Sequence, residues 1–178
     1  MKKNQTAEPI KDRAKIQEMK KALQEGQNGF RNRLLFEMGL ASALRITDLT
    51  SLKKKNIVDG FVRIKTGKTG RIKLIEINPK VYQMLLIHLE DKEEDDFIFD
   101  IGRVMAWKIL KDAAKKVGLS NISSHSMRKT TAWHFYHESG KDIRKTMALL
   151  GHKDPKETRI YLNIDDDEVN VLLKNMYL

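Results

Sequence analysis

The 178-residue sequence has no cysteine, only three prolines and a 7% share of aromatic residues. Without cysteine there is no disulfide framework, no thiolate zinc site and no cysteine nucleophile, and the chain suits a reducing compartment. Three prolines leave no Pro-rich linker. No apolar run approaches the ~18 residues that span a bilayer, and the polar start MKKNQTAEPIKDR lacks the apolar stretch of a signal peptide. The expectation is a cytoplasmic protein with no membrane partner. What is present, 40% hydrophobic and 33% charged residues, excludes disorder throughout. The length allows one domain with a real core.

The formal net charge is +10, and its distribution says more than its size. Residues 1–80 carry 19 basic and 8 acidic side chains, and residues 103–161 carry 13 and 5. Two acidic islands, EDKEEDD at 90–96 and DDDE at 165–168, follow these basic stretches. That layout suits one positive face turned to a polyanion with the acidic elements kept elsewhere. A solvated lysine-rich surface would give the same totals.

Hydrophobic spacing predicts a mostly helical α+β chain with one small antiparallel sheet. After a loose lead-in of about ten residues, a helix is expected from Pro9 to about Glu25, with Ile16, Met19 and Leu23 on one side. A second begins near Phe30 and a short third spans about Ile46–Leu52. Residues 57–64 and 71–77 read as two strands of a hairpin joined by KTGKTG. Further helices follow Pro79 and carry Val104, Trp107, Leu110, Ala114 and Val117 on one expected face. Phe97–Phe99 reads as a short strand, and helices are expected at about 124–138 and 141–150. A last helix at 165–178 bears Val169, Leu172, Leu173 and Met176 as a stripe.

Five polar segments interrupt this framework. In ALRITDLTSL (43–52) Arg45 breaks an apolar run, with Asp48 as the nearest candidate partner; the pair could tie a turn, or the guanidinium could grip a phosphate with its planar fork. Lys68 lies in KTGKTG. A phosphate-cradling P-loop there would need glycine at Val62 and a following helix, so nucleotide binding is rejected. In SSHSMRKT (123–130), Ser123 or Ser124 is an expected N-cap, and His125 and Arg128 share a face in a first helical turn, where an anion is favoured. Gly151 in LLGH lets the chain turn and sets His152 past a helix end, and Tyr161 follows nine residues later. A zinc site from His125, His134 and His137 is not expected, since there is no cysteine and no HExxH.

In this order and at these spacings, ALRITDL, TGKTG, HSMR, LLGH and Tyr161 resemble the catalytic domain of the tyrosine recombinase, or phage integrase, family, over roughly residues 10 to 178. The resemblance implies a DNA breaking and rejoining fold with no metal, ATP or other cofactor. It implies Arg45 and Arg128 as a phosphate clamp, Lys68 as general acid, His125 assisting proton transfer, His152 bonding the phosphate and Tyr161 as nucleophile, with Asp48 helping to hold the site. Its partners would be double-stranded DNA and further copies of the chain in a tetrameric synapse, docked through the C-terminal helix. Ser126 and Lys129 depart from the usual H-D-L-R-H-T pattern, outside the catalytic set. The family's N-terminal DNA-clamping domain has no counterpart, so a single catalytic domain, cut or naturally minimal, is expected. A type IB topoisomerase-like enzyme and a noncatalytic DNA-binding module are the alternatives.

Overall fold

The computed structural model describes residues 7–65, 72–123, 125–162 and 174. Lys68, Ser124 and, apart from Lys174, the expected helix at 165–178 lie outside the described residues. The chain divides into two compact units, Met1–Thr131 and Ala132–Leu178.

The first unit is organised round a buried helix. α1 (Arg13–Leu23) starts where the Asp12 carboxylate accepts the Ala14 N–H at 2.8 Å, and it buries Met19 and Leu23. α2 (Gly29–Ser42) buries Leu34, Leu35, Phe36 and Met38 and also Glu37, Gly39 and Ser42, so it is covered on most sides. The one acid in that set is neutralised: Glu37 takes Lys20 at 2.7 Å and Arg33 at 3.3 Å. Truncating Leu35 to alanine would cost about 2–5 kcal/mol by the cavity it leaves. α3 (Ile46–Thr50) follows at once, and Ile46 and Leu49 enter the same core.

The sheet has one strand more than the hairpin expected over 57–77. β1 (Ile57–Val58), β2 (Phe61–Lys65) and β3 (Ile72–Glu76) pair antiparallel in that order. Asp59 and Gly60 have φ of 48° and 85° and turn the chain back between Val58 and Phe61. An Asp-Gly pair is a strong signal for this primed turn, and it splits what the sequence reads as one strand. Val62 is fully buried opposite Ile75, and Ile64 stands opposite Lys73. Residues 97–99 form no full strand; Lys53 and Phe97 make an isolated bridge, and the Ile98 N–H donates to the Leu52 carbonyl at 2.8 Å.

α4 (Pro79–His88), begun by Asn78 and Pro79, buries Val81 and Leu85. α5 (Arg103–Lys116) corrects the expected face: it buries Ala106, Leu110, Ala113 and Ala114, while Val104 is 71% exposed and Trp107 lies at the surface under the Lys111 ammonium. The alanines allow α5 to approach α1, α2 and α3, and that close packing decides which side turns inward. The acidic island at 90–96 is not held apart from the basic stretches. Asp95 pairs with Lys53 at 3.3 Å and with Lys55, and Lys54 and Lys55 donate backbone N–H groups to the Asp96 and Glu94 carbonyls. The end of the lead-in is fixed as well: Ile10 is buried, and its N–H donates to Thr130 Oγ1 at 2.8 Å.

α6 (Ser126–Glu138) starts two residues later than the spacing suggests. Ser123 Oγ accepts the His125 N–H at 3.1 Å while Ser126 Oγ accepts the Ser123 N–H at 2.9 Å. In the second unit, α7 (Ile143–Leu150) is capped by Asp142 and ended by Gly151 in a left-handed conformation, φ 68°. α8 (Pro155–Leu162) was not expected as a helix, although Asp154, accepting the Lys156 N–H at 2.8 Å, and Pro155 are start signals. Ala132, Tyr136, Leu150 and Leu162 form this unit's core, with Trp133, Ile143 and Tyr161 against it.

Candidate active site

In the first unit, the C-terminus of α2 places two cations. Ser42 Oγ donates to the Met38 carbonyl at 2.6 Å and accepts the Leu44 N–H at 3.3 Å. Ala43 closes the helix at φ 51°, a left-handed conformation that a non-glycine residue seldom holds. The reversal buries Leu44 and Ile46 and leaves Arg45 between them, exposed, as the residue that precedes α3. It also aims the Ala43 carbonyl at α6, where Arg128 Nη1 donates to it at 2.6 Å.

α6 is locked against α2 at this point. A Cβ on Gly39 would come within 2.4 Å of Met127 Sδ, so only glycine fits without movement of that side chain. One turn on, Thr131 Oγ1 donates to the Leu40 carbonyl at 2.7 Å. Arg128, between these contacts, is 6% exposed. A guanidinium held this way keeps the orientation of its fork and has its charge partly desolvated, which strengthens its hold on an anion.

The neighbouring groups repel protons. His125, at the surface in the turn before α6, has its pKa lowered by partial desolvation and then by Arg45, Lys129 and Arg128. Lys129 is lowered by burial, opposed by Glu8. Lys73 on β3 is lowered by burial and by Arg128. Arg45 and the His125–Arg128 pair, singled out in separate segments, therefore share one electrostatic neighbourhood. Asp48 is half-buried in the first turn of α3, and the ion pairs of the described residues do not include one to Arg45. Lys68 lies outside the described residues.

In the second unit, His152 and Tyr161 come together. The His152 N–H donates to the Met147 carbonyl at 3.0 Å across the Gly151 turn. Its Nδ1 lies 2.9 Å from Oγ1 of the fully buried Thr158, which fixes the ring plane. Tyr161 follows on α8, one turn past Thr158, and its ring meets the imidazole edge-on, with centroids 5.5 Å apart and planes at 82°. The Tyr161 hydroxyl is shielded from solvent. Sequence reasoning missed Thr158, which bonds His152, and the Ala43 carbonyl, which bonds Arg128.

Among the described residues, no cluster of three or more His, Asp or Glu side chains is placed to hold a metal ion, and no helix is long and apolar enough to cross a membrane.

A family model described as the phage integrase family matches residues 12–168. A probable integrase/recombinase, YoeC, of Bacillus subtilis (strain 168) is 32% identical over 94% of this chain and 95% of its own. A tyrosine recombinase, XerD, of Listeria monocytogenes (serotype 4b) is also 32% identical over 84% of this chain, which spans about half of it, 54%. A crystal structure of the XerH site-specific recombinase bound to difH substrate superposes with a TM-score of 0.73 at 19% identity, over 92% of this chain and 53% of that one. The YoeC match runs nearly end to end and the family model takes in every one of the five polar segments. The chain belongs to the phage integrase family of tyrosine recombinases.

Proposed function

We propose that this chain breaks and rejoins double-stranded DNA at specific sites through a covalent bond between Tyr161 and a 3′-phosphate. The observation that carries the reading is the anchored cationic neighbourhood of Arg45, His125 and Arg128. A backbone carbonyl fixes Arg128, and Arg45, Lys129 and Arg128 each lower the pKa of His125. Such a place favours a phosphodiester, above all in a pentavalent transition state whose nonbridging oxygens carry added charge.

In this reading Arg45 and Arg128 hold the nonbridging oxygens. The Tyr161 oxygen attacks phosphorus, the bond from phosphorus to the 5′-oxygen breaks, and Lys68 delivers a proton to the departing oxygen. A phenol with pKa ~10 needs help to ionise. His125, its pKa lowered by partial burial and then by its cationic neighbours, is placed to take up a proton, and His152 donates to the phosphate from its place beside the tyrosine ring. A second strand's 5′-hydroxyl then attacks the phosphotyrosine, its proton returns to Lys68, and Tyr161 leaves as it entered. One phosphodiester replaces another, so the exchange needs no ATP. Asp48 supports α3. The DNA substrate puts the reaction in the cytoplasm, and the two strands to be exchanged call for several copies of the chain, with the C-terminal helix at 165–178 as the docking element.

The test is a set of nicked duplexes tiled across the DNA on either side of the coding gene. A protein–DNA adduct that survives denaturation on one of them supports the reading. Binding without adduct would make the chain a binding module, and relaxation of plasmids with no partner site would make it a topoisomerase.

A further inference from the structure

Buried threonines in the helices of this chain place their hydroxyl protons differently. Thr130 and Thr146 are buried like Thr158, and each donates its hydroxyl to the carbonyl four residues back, Thr130 to Ser126 at 2.7 Å and Thr146 to Asp142 at 2.9 Å. Among the described residues Thr158 makes no such bond. The carbonyl four back from it, that of Asp154, accepts the Glu157 N–H at 3.1 Å. The side-chain partner of Thr158 is His152, whose Nδ1 lies 2.9 Å from Oγ1. A hydroxyl carries one proton, and a fully buried one that leaves it unbonded pays in desolvation with nothing gained. The Thr158 proton therefore goes to Nδ1. A ring nitrogen that accepts a hydrogen bond holds no proton of its own, so the proton of the neutral imidazole sits on Nε2. That nitrogen is then a donor, as a group that bonds a phosphate oxygen has to be. Thr158 and Tyr161 lie one turn apart on α8, so the helix that carries the tyrosine also sets the proton of the histidine beside it.

We infer that Thr158 is a positioning residue: its hydroxyl donates to Nδ1 of His152 and holds the imidazole with its proton on Nε2, set to donate to a nonbridging oxygen of the DNA phosphate. The inference rests on the recombinase reading above for the phosphate, and on the contact between Thr158 and His152 for the proton.

Two measurements on the full chain test the two parts separately. In the free protein, nitrogen-15 NMR of the imidazole rings is recorded above the ordinary histidine pKa of about 6.5, with His152 assigned through His152→Gln. Nδ1 of His152 should be bare and Nε2 protonated in the wild type and in Thr158→Ser, whereas Thr158→Val, which keeps the shape and loses the hydroxyl, should show a mixture of tautomers. On the adduct-forming nicked duplex, Thr158→Val should slow single-turnover adduct formation about 10-fold with DNA affinity within about twofold, and Thr158→Ser should stay within about threefold of the wild-type rate. A proton on Nδ1 in the wild type overturns the assignment, as does a Thr158→Val chain that keeps either the wild-type tautomer or the wild-type rate. Equal slowing in both variants with a lowered melting temperature would make Thr158 a packing residue and overturn it too. No adduct from the wild-type chain on any duplex would overturn the recombinase reading and with it the role toward phosphate, while the spectra of the free protein still decide the bond between Thr158 and His152.

Discussion

Two cationic regions of the first unit have opposite surroundings. In the lysine run at 53–55, Lys53 and Lys55 share Asp95, and the Lys54 ammonium donates to the Lys92 carbonyl, so the acidic island at 90–96 lies back over the run. Round α3 and the start of α6 the charges meet their own sign: Arg45, Lys129 and Arg128 act on His125, and Arg128 on Lys73. The two regions contribute alike to a net charge of +10. They differ in how that charge is held. One is a solvated ion-pair surface, worth little to stability and screened by salt. In the other, Lys129 and Lys73 are partly desolvated and the buried Arg128 is fixed to a backbone carbonyl, as a phosphate-binding cation needs to be.

The largest way to break the contrast is at Arg128. Arg128→Ala should lower the rate of adduct formation by about 10²–10³-fold, the cost of removing one transition-state donor. It should also destabilise the fold by about 1–3 kcal/mol, because the Ala43 carbonyl loses its partner; thermal melting reads this part. Arg128→Lys keeps the charge and loses the fork, so it should recover stability more than rate.

A smaller, sharper effect is expected at His125. Its pKa in the free protein lies below the ordinary value of about 6.5, so the folded chain binds fewer protons there than the unfolded chain. Its share of stability is therefore intact above the ordinary pKa and is lost as pH falls below it. Bound phosphate neutralises the surrounding cations and should raise the pKa. Following the imidazole resonances by NMR against pH, with and without a DNA duplex, checks both directions. Least affected is the paired region: Asp95→Ala should leave the adduct rate within about twofold and tighten DNA binding slightly at low salt only, as binding isotherms at two ionic strengths would show.

Much of this fold is legible in the sequence. The apolar period of α1 located a core helix because it buries one side, and Met19 and Leu23 lie where that period puts them, whereas α2 is buried on most sides and shows no such row. The face of α5 was misread because Val104 and Trp107 are the more apolar residues while the alanines pack more closely, and side-chain size is a tertiary matter. α8 was missed because its eight residues hold a single short apolar stretch, although Asp154 and Pro155 mark its start. At the site, residue types and spacing pointed to Arg45, His125, Arg128, His152 and Tyr161. The groups that hold them were hidden, since a carbonyl such as that of Ala43 has no side-chain signature and the meeting of Thr158 with His152 depends on a turn at Gly151.

Tyr161 as nucleophile is the claim on which the proposed chemistry rests. Wild-type chain trapped on a nicked duplex, digested with trypsin and examined by mass spectrometry should carry its nucleotide on Tyr161, and Tyr161→Phe should form no adduct while binding the same DNA. An adduct on another residue, or one that persists in Tyr161→Phe, would contradict it.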